Sequence, residues 1–185
     1  MRTLLCIILT FGAARAADAP GVRLQLLATN RISTMEKEMN QAAASGYRYA
    51  QFVGGDTSFG GQEVVVAMAK PLNGPAEPTK TYRVISAALV SNLEKDLKRA
   101  GDDGFEWKAT AIFHVVGGTA EPVCILEHAA GSNRQFSYRI LTTARTSTMQ
   151  KELQDAGHDG FKLLGVTLSK TLLGVSEVVA VLSKD

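Results

Sequence analysis

Cysteine is almost missing from this 185-residue chain, which has two, Cys6 and Cys124. Cys6 falls in an N-terminal stretch with the features of an export signal. Arg2 supplies a positive start, Leu4–Ala14 is a short apolar run, and Ala14-Arg15-Ala16 fits a small-x-small cleavage site. With residues 1–16 removed, Cys124 stands alone, so no intramolecular disulfide is possible. An exported domain without disulfides must rely on its core, a situation commoner in a bacterial periplasm than in small eukaryotic secreted modules. Long apolar runs are also lacking. The one in the signal is too short to span a bilayer as a helix, and none follows it. Excess charge of either sign is missing as well. The full chain has 20 basic and 18 acidic residues. The signal carries Arg2 and Arg15 and no acid, which leaves 18 − 18 = 0. A neutral, mixed surface has no electrostatic footprint for nucleic acid or anionic lipid. Aromatics are sparse at 6%, and three of the five prolines crowd into residues 71–81.

The chain does have internal repetition. Segments 24–70, 82–128 and 138–184 align without gaps at offsets of 58 and 56 residues. Seven positions are identical in all three: Ser33/Ser91/Ser147, Lys37/Lys95/Lys151, Ala42/Ala100/Ala156, Gly46/Gly104/Gly160, Gly60/Gly118/Gly174, Glu63/Glu121/Glu177 and Val65/Val123/Val179. Such a period defines the unit of folding. Each unit alone lies near the lower size limit for independent folding, so units that share a core are expected.

Every unit predicts the same order of elements. A short strand comes first (24–29, 82–87, 138–143). The spacing then predicts a helix entered by a capping box: Ser33-x-x-Glu36, Ser91-x-x-Glu94 and Ser147-x-x-Gln150. One apolar stripe follows, Met35/Met39/Ala42, Leu93/Leu97/Ala100 and Met149/Leu153/Ala156. The helix is expected to stop at Gly46, Gly104 and Gly160, each followed by an aromatic residue, Tyr47, Phe105 or Phe161. That residue would pack back on the repeated alanine in a Schellman ending. Two strands joined by a glycine-containing turn complete a βαββ unit, with the first two strands parallel. The last strand is apolar at every position in Val64–Met68 and Val178–Leu182. Both of its faces should therefore be buried, one of them by a neighbouring unit or chain. The expected fold class is α+β: three tandem βαββ repeats sharing a core in a pseudo-threefold arrangement, helices outward and third strands inward. The divisions are 1–16 signal, 17–70 first repeat, 71–81 proline-rich linker, 82–129 second repeat, 130–137 linker and 138–185 third repeat.

The middle unit reads Tyr82-Arg83-Val84-Ile85, then Asn92-Leu93-Glu94-Lys95-Asp96-Leu97, then Gly104-Phe105-Glu106-Trp107. It resembles a small bacterial domain of unknown function with the pattern Tyr-Lys-Val-Val, Leu-x-x-x-Leu, Gly-Trp-Glu-Leu-Val. This chain has Phe or Tyr where that pattern has Trp after the glycine. The resemblance implies a βαββ fold and brings no active site with it.

Chemistry is harder to find. The loop 54–61 is glycine-rich but lacks the lysine and Ser/Thr of a phosphate loop and leads into a strand, so a hairpin turn is expected. Cys124 and His128 share a strand face about 13 Å apart at ~3.3 Å per residue, too far for one metal ion even with His114 on the partner strand. No catalytic, cofactor-binding or metal-binding residue is assigned. The recurring lysine resists a purely structural account: Lys37, Lys95 and Lys151 are placed in the first helical turn, where a cation opposes the macrodipole. Their i+4 partners, Gln41, Arg99 and Asp155, share no pattern. Glu63, Glu121 and Glu177 are the other recurring charge, and lysine–glutamate pairing within or across units is the expected coupling. The function expected is an exported (periplasmic or extracellular), non-enzymatic binding or scaffold module for a protein or envelope partner. Two other classes fit the sequence: an enzyme with an inter-repeat site using Lys/Glu pairs, and a homo-oligomeric envelope component in which Cys124 could form an intermolecular disulfide.

Overall fold

The computed structural model describes residues 21–57, 61–73, 77–87, 89–114, 120–170 and 175–185. The expected signal, the recurring glycines 60, 118 and 174, and the middle of the proline-rich linker lie outside the described residues. The protein is α+β, with three three-stranded antiparallel sheets and three helices in a threefold-repeated order. Unit 1 comprises β1 (Val22–Thr29), α1 (Ile32–Ala44), β2 (Arg48–Thr57) and β3 (Gly61–Pro71). In unit 2, β4 (Lys80–Ser86) and α2 (Val90–Asp102) precede β5 (Glu106–His114) and β6 (Ala120–Ala129). Unit 3 has β7 (Ser137–Thr143), α3 (Thr146–His158), β8 (Lys162–Lys170) and β9 (Ser176–Lys184).

In every sheet the third strand sits in the middle, giving the orders β1-β3-β2, β4-β6-β5 and β7-β9-β8. The first and second strands run in the same direction, as expected, but each pairs antiparallel with the third, which lies between them. Burial of both faces depends on a cluster on each side. Val123 through Leu126 are all buried in β6, whose faces meet two different clusters. In β3, by contrast, only Val64, Val66 and Met68 are buried, and Val65 and Ala67 are half-buried. The second strand of each unit carries a bulge at the same place, between Tyr49 and Gln51, Trp107 and Ala109, and Leu163 and Gly165.

The helices end as the sequence dictates. Gly46, Gly104 and Gly160 take φ of 89°, 81° and 85°. The next residue, Tyr47, Phe105 or Phe161, donates its N–H to the carbonyl of Ala42, Ala100 or Ala156 at 3.0, 2.9 and 3.0 Å. That is the 6→1 bond of a Schellman ending.

The helix starts depart from expectation. The caps are Arg31, Leu89 and Arg145, extended residues with no side-chain capping bond, and the recurring serines are exposed two positions inside the helix. Starting earlier puts Ile32 and Val90 on the packing face, where both pack against core clusters. Burial of an apolar side chain outweighs a cap worth about 1 kcal/mol. Glu36 accordingly does not reach back to Ser33. Its Oε2 accepts the Val84 N–H of the next unit at 2.9 Å. The earlier start also moves Lys37, Lys95 and Lys151 into the second turn, where the dipole's effect on a cation has largely decayed.

Cores form between consecutive units. One cluster joins Leu27, Met35, Met39 and Val66 of unit 1 to Tyr82, Val84, Phe113 and Ile125 of unit 2. The next joins Leu93, Leu97 and Leu126 of unit 2 to Phe136, Tyr138, Ile140 and Val181 of unit 3. The third has only Met149, Ala156, Ala180 and Leu182 as buried members among the described residues. Among the described residues the arrangement is an open row: the outward side chains of β1 and β8, in its two end units, are exposed.

Candidate functional site at the joints between units

Each joint is built from one tyrosine, one bulge and one helix. β4 lies at the edge of its sheet, and α1 of the preceding unit covers that edge. Asn40 uses its carboxamide twice there, donating from Nδ2 to the Tyr82 carbonyl and accepting the Tyr82 N–H at Oδ1, both at 2.9 Å. With Glu36 accepting from Val84, three outward backbone groups of β4 find partners on α1. This covering is a standard way to protect a sheet edge. The Tyr82 side chain then crosses under α1, and its hydroxyl accepts the Tyr49 N–H at the bulge of β2 at 2.8 Å. Tyr138 repeats the arrangement one unit on. Its hydroxyl accepts the Trp107 N–H at 2.6 Å and donates to the Phe105 carbonyl at 2.8 Å. Burial raises the pKa of both phenols well above the ordinary 10.0, so they are neutral donors and acceptors.

The joint between units 1 and 2 holds the most concentrated charge. Tyr82 donates to Glu127 Oε2 at 2.8 Å. The other oxygen, Oε1, lies 3.0 Å from Lys80 Nζ and 3.6 Å from Lys108 Nζ. Burial alone would raise the carboxyl's pKa. The bonds from Lys80 and Tyr82 and the Lys108 charge outweigh it, and the net shift is downward. At the second joint the equivalents of Glu127 and Lys80 are Ser183 and Phe136, so this cluster belongs to one joint alone.

Cys124 is fully buried beside Thr110, whose Oγ1 lies 3.1 Å from Sγ and accepts from Trp107 Nε1 at 2.9 Å. Burial pushes the thiol up to about 11. A neutral, enclosed thiol is a poor nucleophile, which closes the expected route to an intermolecular disulfide in the folded protein. Above this joint, an open groove of about 680 Å³ runs between α1, β4 and α2, lined by Ile32, Ser33, Glu36, Arg83, Asp96 and Arg99. Its charges are of both signs. The Arg83 guanidinium pairs with Asp103 at 2.9 Å and lies 4.1 Å from the Phe105 ring centroid.

The charges singled out in the sequence sit elsewhere. Lys37, Lys95 and Lys151 are exposed on the helices, and Glu63, Glu121 and Glu177 are half-buried near the starts of the third strands. No ion pair among the described residues joins one of these lysines to one of these glutamates. Sequence reasoning missed Glu127, Lys80 and Lys108. The available signal was one acid in a strand where the aligned residues are Ala69 and Ser183. Among the described residues, no group of three or more His, Cys, Asp or Glu is placed to hold a metal ion. Likewise, no described helix is long and apolar enough to cross a membrane.

The arrangement defines a protein of stacked α+β units whose buried polar groups lie at the joints. Comparison with family models, with curated proteins and with solved structures finds no match.

Proposed function

We propose that this chain is an exported, non-enzymatic scaffold of three βαββ repeats that binds a protein or envelope partner in the periplasm or outside the cell. The observation that carries the reading is where the perturbed groups are used. Tyr82 and Tyr138 hold one unit to the next, Glu127 anchors the Tyr82 hydroxyl from within its own unit, and Cys124 is enclosed in the core. Chemistry of the kind that catalysis needs is committed to assembly, and the exposed groove is left to recognition. The inter-unit groove is the partner's seat in this reading, because its paired charges of both signs suit a polar peptide segment.

Affinity capture from the envelope fraction, with partners identified by mass spectrometry, tests the proposal. Wild type and an Arg99→Glu variant are compared, since Arg99 is exposed and lines the groove. A stoichiometric partner recovered by wild type and lost from the variant supports the reading. A partner recovered equally by both, or none, overturns it. N-terminal sequencing of the accumulated protein tests export, with Ala17 expected as the first residue.

A further inference from the structure

Strand β4 is covered on its outer side by α1, and β7 by α2. By the same rule α3 should cover a strand, and β1 should be covered by a helix. Neither has its partner among the described residues. Leu24 and Leu26 occupy the positions of Tyr82 and Val84. The pair in unit 2 is 1% and 8% exposed, whereas Leu24 and Leu26 are 72% and 70% exposed. At the opposite end, Leu163, Val166 and Leu168 occupy the positions of Trp107, Thr110 and Ile112, which face unit 3. They too are exposed, Leu168 by 66%. The two ends thus present the two halves of one joint, and both halves are apolar. Terminal repeats of a stacked array ordinarily carry a polar outer face.

The helix α3 is also furnished for a strand that is not there. At the second joint Gly101 lets β7 approach so closely that a Cβ would overlap the Phe136 carbonyl. Gly157 repeats that glycine in α3, yet nothing lies within 4 Å of where its Cβ would be. A helical glycine costs about 1 kcal/mol against alanine, and in α3 no close approach offsets it. The clamp positions match as well. Glu36 and Asn40 hold the edge of β4, and α3 has Gln150 and Gln154 there, both exposed. Gln154 carries the same donor–acceptor carboxamide as Asn40. In α2 the equivalents, Glu94 and Lys98, bond each other at 2.9 Å instead.

We propose that the chain assembles head to tail with copies of itself. The edge of β1 in one copy, with Leu24 and Leu26, seats on α3 and the exposed face of β8 in the next. Gln154 clamps the Leu24 backbone as Asn40 clamps that of Tyr82, and the backbone near Val22 lies against Gly157. Leu24 has no hydroxyl for the Leu163 bulge, so this joint lacks the tyrosine bonds of the internal ones and is the weaker. A joint between unlike faces closes into a ring or runs on as a filament. This assembly is independent of whether the groove between units 1 and 2 binds a further partner.

Sedimentation velocity of the protein produced from its full reading frame, over a range of micromolar concentrations, is the test. Two or more chains per particle are expected, rising with concentration. Gly157→Leu should retain or raise the melting temperature, since its side chain enters open space. It should also weaken assembly on the order of 100-fold by filling the seat. The double variant Leu24→Glu/Leu26→Glu should be monomeric and folded by circular dichroism. Mixed one to one, these two variants each keep one good face and should form dimers that grow no further. A monomeric wild type, an assembly that survives Gly157→Leu, or a mixture that stays monomeric overturns the proposal.

Discussion

Glu127 shows how one residue ties a joint to solution conditions. Its folded pKa lies below the ordinary 4.5 because Lys80, Tyr82 and Lys108 favour the carboxylate more than burial disfavours it. A depressed carboxyl contributes stability that is fully present above its unfolded pKa and is lost as pH falls through the folded one. Stability should therefore be insensitive to this group above about pH 5 and decline as acid is added below it. Urea unfolding of wild type and Glu127→Gln between pH 3 and pH 7 checks this: the difference between them should be largest near neutrality and shrink in acid. At the same scale the repeated serine is not the cap that its spacing predicts. Its spacing to Glu36 was right for a capping box, but the burial of Ile32 and Val90 set the start of the helix.

Helices and strands show which local signals survive folding. The Gly46, Gly104 and Gly160 endings were legible because the αL residue, the aromatic and the alanine all lie within one turn of each other. The second glycine in the last turn was not, because its reason lies on another unit. Gly101 admits the backbone of β7, and Gly157, the same residue in the same helix position, admits nothing within the chain. The two should thus respond oppositely to one substitution. Gly101→Ala should destabilise by about 1–3 kcal/mol through overlap with Phe136, and Gly157→Ala should be neutral or stabilising by up to about 1 kcal/mol. Thermal melts of the two variants measured side by side decide it, and equal losses would contradict this account of the joint.

The whole molecule is a row of shared cores. Removing one hydroxyl at a joint leaves the Tyr49 N–H unpartnered and takes the Tyr82 bond from Glu127, so Tyr82→Phe should cost about 1–3 kcal/mol. Met35 and Val84 belong to one cluster although they come from different units, so a loosened joint should lower the stability of both neighbours together. A single denaturant transition with a lower midpoint is expected. Two separated transitions would mean that the units fold alone.

The sequence by itself determined the repeat, the order of strand, helix, strand and strand, and the helix endings. All of these follow from contacts within one turn or one sheet, and they recur with the residues that cause them. Only the tertiary structure decided where the helices begin, that Tyr82 and Tyr138 reach back to the preceding unit, and that the row stays open. Leu24 and Tyr82 hold the same position in aligned units. One is exposed and the other buried because burial depends on the neighbour, and a repeat at the end of a row has one neighbour fewer than a repeat in its middle.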